Sequence, residues 1–96
     1  MVAISEIIQS RIFAKQKKKL KKNQIKKLDE AIKTVMANPE IGDLKKSDLQ
    51  GIRVYRCKVG NNLILLAYEI EDSTLYLYAF GSHQNFYREL SKYLHH

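Results

Sequence analysis

The sequence predicts an α+β fold in the order (β)ααβββα, an antiparallel sheet with a helical hairpin packed on one face and a short C-terminal helix. Apolar residues recur at helical spacing as far as Met36 and at strand spacing from Ile52 onward. Two polar segments, Gly60-Asn61-Asn62 and Glu71-Asp72-Ser73, divide the strand region into three runs. The chain has 96 residues, 45% of them hydrophobic, enough to close one compact core and too few for a second domain. Strands that follow helices, rather than alternate with them, argue against a parallel doubly wound sheet.

Taken in order, Val2 to Ile8 is short, apolar and partly β-branched, which suits an edge strand and equally a first helical turn. From Ser10 the pattern is helical, with Ile12, Phe13 and Leu20 assigned to one face and lysines to the rest. Asn23 has the chemistry of a cap for a second helix, in which Ile25, Leu28, Ile32, Val35 and Met36 form an apolar stripe. Asn38-Pro39 ends it, because the residue before proline is pushed out of the helical region. Glu40 to Gln50 has little periodicity and reads as a loop. Ile52 to Val59, Leu63 to Ile70 and Thr74 to Phe80 are the three strands, and Leu63 to Ala67, apolar on both faces, is expected at the centre. Gly81-Ser82 should then break the sheet, and Phe86, Leu90 and Leu94 mark the final helix.

The charge narrows the choice of partner. Seventeen Lys and Arg against ten Asp and Glu give a formal charge of +7, which favours a polyanion such as RNA, DNA or an acidic protein. Met1 to Ile8 contains Glu6 and no basic segment ahead of an apolar one, and the longest apolar run, Leu63 to Tyr68, is far too short to span a bilayer. A soluble, cytoplasmic protein with no membrane partner is expected. Cys57 cannot form an internal disulfide, and no histidine pair has the spacing of a metal site, so neither metal nor cofactor is expected. His95 and His96 have the character of a tag remnant, leaving residues 1–94 as the single domain.

Three groups of residues have the chemistry for a site. Ten of the seventeen basic residues lie between Arg11 and Lys33, opposed only by Asp29 and Glu30. Such a run is either a solvated helix surface or an electrostatic dock for phosphates. In Ile52 to Val59, a period of two places Arg56 and Lys58 on one face and Arg53, Tyr55 and Cys57 on the other. If the first face is the one free of helices, Arg56 and Lys58 stand in an open concave surface where they can stabilise charge on a phosphate. Arg53 and Tyr55 then lie toward the helices with their polar ends at the rim. Finally, His83 follows the last strand and Tyr87 comes four residues later, one helical turn on. An imidazole serves as acid or base near neutral pH, although a lone histidine at a helix start is more often a structural cap or a surface residue.

The blocks Asp48-Leu49-x-Gly51-x-Arg53-x-Tyr55, Leu65-Leu66-Ala67-Tyr68 and Gly81-Ser82-His83-x-x-Phe86-Tyr87 resemble the RelE/ParE superfamily of bacterial type II toxin-antitoxin toxins. The likeness is specific from Asp48 to Tyr87, and the first half matches as a basic helical hairpin. It implies a toxin neutralised by an antitoxin from the same operon. Many such toxins enter the ribosome and cut mRNA by attack of a 2′-hydroxyl on the neighbouring phosphate, without metal; others poison DNA gyrase. On this resemblance His83 matches a catalytic histidine, Tyr87 its aromatic neighbour, and Lys58 the place of a strand histidine. Arg56 joins them from the strand reading. Lys15, Lys18, Lys19, Lys22, Lys45 and Lys46 are the candidates for holding RNA. One departure stands out: Leu63 to Ala67 has no arginine, where several ribosome-dependent nucleases of the family carry one. Lys45 and Lys46 would replace that charge only if their loop folds over the site.

Overall fold

The computed structural model describes residues 4–44, 51–59 and 61–82. Its elements are β1 (Glu6–Gln9), α1 (Arg11–Lys18), α2 (Lys22–Ala37), β2 (Asp43–Leu44), β3 (Arg53–Val59), β4 (Asn62–Glu71) and β5 (Thr74–Ser82). The strands form one sheet in the spatial order β1-β5-β4-β3-β2, with β4 at its centre as its two apolar faces require. The C-terminal helix expected around Phe86, Leu90 and Leu94 lies outside the described residues. No described helix is long and apolar enough to cross a membrane.

The α+β order holds, with two additions to the sheet. β3, β4 and β5 form the antiparallel meander, but β1 runs parallel to β5, so the sheet is mixed. In the chain the helical hairpin and strands β2, β3 and β4 all lie between the two, a long connection of the kind a parallel pair needs. β2 is a two-residue pairing of Asp43 and Leu44 with Val54 and Arg53, inside the segment whose sequence reads as a loop. Nor does the sheet break at Gly81-Ser82, since β5 continues to Ser82, which pairs with Ile64.

Local chemistry sets the helix ends. Ser10 caps α1, its Oγ accepting from Phe13 N at 3.0 Å. α2 begins before Asn23: the side chain of Gln24 returns to accept from Lys21 N at 2.9 Å, while Asn23 accepts from Gln24 N. The helix ends at Ala37, with Asn38 outside helical geometry ahead of Pro39.

Each face of the sheet carries its own apolar cluster. On the helix side, Phe13, Leu28, Ile32 and Val35 pack on Leu66, Tyr68, Leu75, Leu77 and Phe80. On the other, Ile52, Val54, Leu65, Ala67 and Ala79 cluster with Ile12 and Tyr78 against them. Ile12 and Phe13 therefore do not share a face. α1 lies over the edge of β5, so adjacent side chains reach opposite sides of the sheet.

Candidate nucleic-acid interface

β3 positions the basic pair. Its alternation puts Val54, Arg56 and Lys58 on the face away from the helix-side core, while Tyr55 packs against that core. Arg56 and Lys58 are both exposed, and Leu63, the cross-strand partner of Lys58, is exposed beside them. The open hollow expected here is smaller than the strand pattern suggests. Leu65, Ala67 and Ala79 fill the middle of this face and are at most 1% exposed, so the two cations stand at the rim of an apolar cluster.

The rows across the sheet bring the end of β5 to the same place. Arg56 pairs with Leu65 and Leu65 with Gly81; Cys57 pairs with Ile64 and Ile64 with Ser82. The last described residue of β5 thus lies in the row between those of Arg56 and Lys58. His83, which follows it in the chain, and Tyr87 lie outside the described residues, as do Lys45 and Lys46. Cys57 is half-buried, and burial pushes its thiol pKa up, leaving it a poor nucleophile.

The helical lysines are arranged by two ion pairs. Lys17 meets Asp29 at 3.3 Å and Lys27 meets Glu30 at 3.7 Å, using both acidic residues of the hairpin. Lys15, Lys18, Lys19 and Lys22 are exposed, with no ion-pair partner among the described residues. Arg11, Lys21, Lys26 and Lys33 are exposed in the same way, so these four are part of the uncompensated charge that a polyphosphate would meet.

On the helix side, Arg53 donates to Gly42 O at 2.9 Å and to Glu40 O at 3.4 Å. Beside it the buried Tyr68 hydroxyl accepts from Gly42 N at 2.9 Å and donates to Pro39 O at 2.7 Å. This clasp holds the segment before β2 against β3 and β4. A cavity of about 60 Å³ lies near the start of β4, lined by Leu20, Gln24, Leu28, Asn62, Ile64 and Phe80. It belongs to the helix side, away from Arg56 and Lys58, and its volume is too small for a nucleotide.

Sequence reasoning missed two polar contacts. Gln16 pairs with the backbone of Phe80, and the Tyr78 hydroxyl donates to Glu69 Oε2 at 2.7 Å. A glutamine among lysines carries no periodic signal. The alternation in β5 puts Tyr76 and Tyr78 on one side, and it is the register shift at Ala67/Tyr68, not the pattern, that accompanies the choice of Tyr78.

Comparison with known proteins agrees with this architecture. Residues 7–91 match the family model for the ParE-like toxin of type II bacterial toxin-antitoxin systems. Among solved structures, an arginine-substituted E. coli toxin RelE in the free state superposes with a TM-score of 0.69 at 15% identity, covering 97% of this chain and 98% of that one. A chain of the intact E. coli RelBE toxin-antitoxin complex gives 0.64 at 14% identity over 79% of this chain and 93% of the other. A mutant of E. coli YafQ gives 0.54 at 18% identity over 81% and 92%. Identities this low speak for the fold alone, and no curated protein sequence matches. The family match spans nearly the whole chain and the sheet has the RelE arrangement, so this chain belongs to the ParE-like toxins of type II toxin-antitoxin systems, within the RelE/ParE superfamily.

Proposed function

We propose that this toxin is a ribosome-dependent mRNA endoribonuclease that cleaves without a metal or other cofactor. The 2′-hydroxyl of one nucleotide attacks the adjacent phosphorus, the bond from phosphorus to the 5′-oxygen breaks, and a 2′,3′-cyclic phosphate remains. His83 takes the 2′ proton or delivers one to the leaving oxygen, Tyr87 orients or relays that proton, and Lys58 with Arg56 stabilises the charge on the phosphorane. Lys15, Lys18, Lys19 and Lys22, joined by Lys45 and Lys46, hold ribosomal RNA. The observation that supports this reading best is the shared row: β5 runs into the residue before His83 beside Cys57, between Arg56 and Lys58. A small antitoxin from the same operon, with an acidic or amphipathic segment, is the partner that would cover the cationic rim and silence it.

Inducible expression with and without the neighbouring reading frame, followed by primer extension on an abundant mRNA, tests the proposal. His83→Ala should slow cleavage by about a hundredfold or more while the protein stays folded. Lys58→Ala should cost a similar factor, as loss of one charge-stabilising group does. Intact mRNA in arrested cells would sink the nuclease reading.

A second reading, a non-catalytic inhibitor of DNA gyrase, is favoured by two observations: the ParE-like family match and the absence of arginine from Leu63 to Ala67. It needs no acid or base. Purified toxin would then block gyrase supercoiling, and His83→Ala would block it equally well.

A further inference from the structure

The edge of β5 is covered in two different ways. β1 pairs with it as far as Leu77, and Ser10 N extends the ladder by donating to Leu77 O at 2.9 Å. Beyond that point α1 takes over. The Ser10 hydroxyl donates to Tyr78 O, and Gln16 then spans Phe80: its Nε2 donates to Phe80 O at 2.6 Å and its Oε1 accepts from Phe80 N at 3.0 Å. One side-chain amide thus exchanges a donor and an acceptor with one residue, as a partner strand does. The rings of Phe13 and Phe80 meet edge to face with centroids 5.2 Å apart, fixing the same junction through apolar contact.

Phe80 stands three residues before His83, and Gln16 is the last hold on this side of β5 among the described residues. On the helix that supplies it Lys15 and Lys18 are exposed, as is Lys19 at its C-terminal cap. The inner side of α1 therefore grips the strand that ends at the site, and its outer side carries the charge that would meet RNA. We infer that Gln16 is a positioning residue for cleavage, fixing the end of β5 relative to the helix that docks on RNA. The inference rests on the nuclease reading.

Two substitutions test it in single-turnover cleavage on ribosomes programmed with mRNA, using the full chain. Gln16→Met keeps the length and loses both hydrogen bonds. It should lower the rate at saturating ribosomes by about ten- to a hundredfold, the scale of a small misplacement of reacting groups, and leave the half-saturating concentration within about twofold. Gln16→Glu adds a pH signature. A neutral carboxyl, like an amide, can donate to Phe80 O and accept from Phe80 N, whereas a carboxylate cannot donate and repels the carbonyl. Its rate relative to wild type at the same pH should therefore rise several-fold as pH falls from about 8 to about 6, toward the range where a partly buried carboxyl takes up its proton. The flanking charges on α1 are Lys15 and Lys17, the latter paired with Asp29 of α2, and β5 has no ionisable group from Ala79 to Ser82. Val35→Ala, which loosens the helix-side core elsewhere, should leave the saturated rate unchanged. If wild type cleaves and Gln16→Met cleaves equally fast, or the Gln16→Glu ratio does not move with pH, Gln16 has no positioning role and the nuclease reading stands. If wild type does not cleave, both fall.

Discussion

Tyr68 shows how one side chain can fix a segment far from it in sequence. It is fully buried, and its hydroxyl satisfies Gly42 N and Pro39 O together. Tyr68→Phe leaves both groups unmatched and should cost about 1–3 kcal/mol, measured by urea unfolding. Burial raises the Tyr68 pKa above its ordinary value of 10.0, partly opposed by the bond from Gly42 N and the charge of Arg53. A raised phenol pKa means that above about pH 10 the unfolded state sheds this proton first, so stability should fall with rising pH there. Tyr68→Phe should flatten that alkaline slope; an unchanged slope would place its origin elsewhere. Gly42 is fixed by the same contact, because a Cβ there would lie 2.7 Å from the Tyr68 hydroxyl. At this scale the sequence is partly readable. Period two alone separates Arg56 and Lys58 from Arg53 and Tyr55, since side chains on a strand have only two sides to choose from. That Tyr68 binds a loop glycine, or Gln16 a strand backbone, depends on which distant segments meet, and no local pattern encodes that.

Elements are legible in proportion to their length. The stripe from Ile25 to Met36 repeats often enough to define α2, and the polar turns isolate β3, β4 and β5. β1 has four residues, all exposed, so neither burial nor alternation reveals its direction or its partner. β2, with two residues, leaves no pattern at all. The spacing in α1 implies one apolar face, whereas Ile12 and Phe13 serve two different clusters because the helix lies across an edge. The polar surface of the helical hairpin supports a prediction at this scale. Replacing Lys15, Lys18, Lys19 and Lys22 together by Gln should weaken ribosome binding and lower the slope of log affinity against log salt by roughly one for each phosphate no longer neutralised. A slope that stays put would mark these lysines as a solvated surface only.

Across the whole molecule, the contacts that join the N-terminal arm to the sheet are long in sequence. Ser10 and Tyr78 are 68 residues apart, and Gln16 and Phe80 are 64. Such contacts are expensive to close and are expected to form after the β3-β4-β5 meander, whose pairings are local. Ser10→Ala, which removes the helix cap and the bond to Tyr78, should destabilise by about 1 kcal/mol. Stopped-flow kinetics should show that loss almost entirely as faster unfolding; an equal loss in the refolding rate would place the arm in the transition state. The parallel seam between β1 and β5 carries a consequence for biosynthesis. The segment from Glu6 to Gln16 is made before Leu77 and Phe80, its partners, so a growing polypeptide displays its lysine-rich arm while the sheet is still missing a strand.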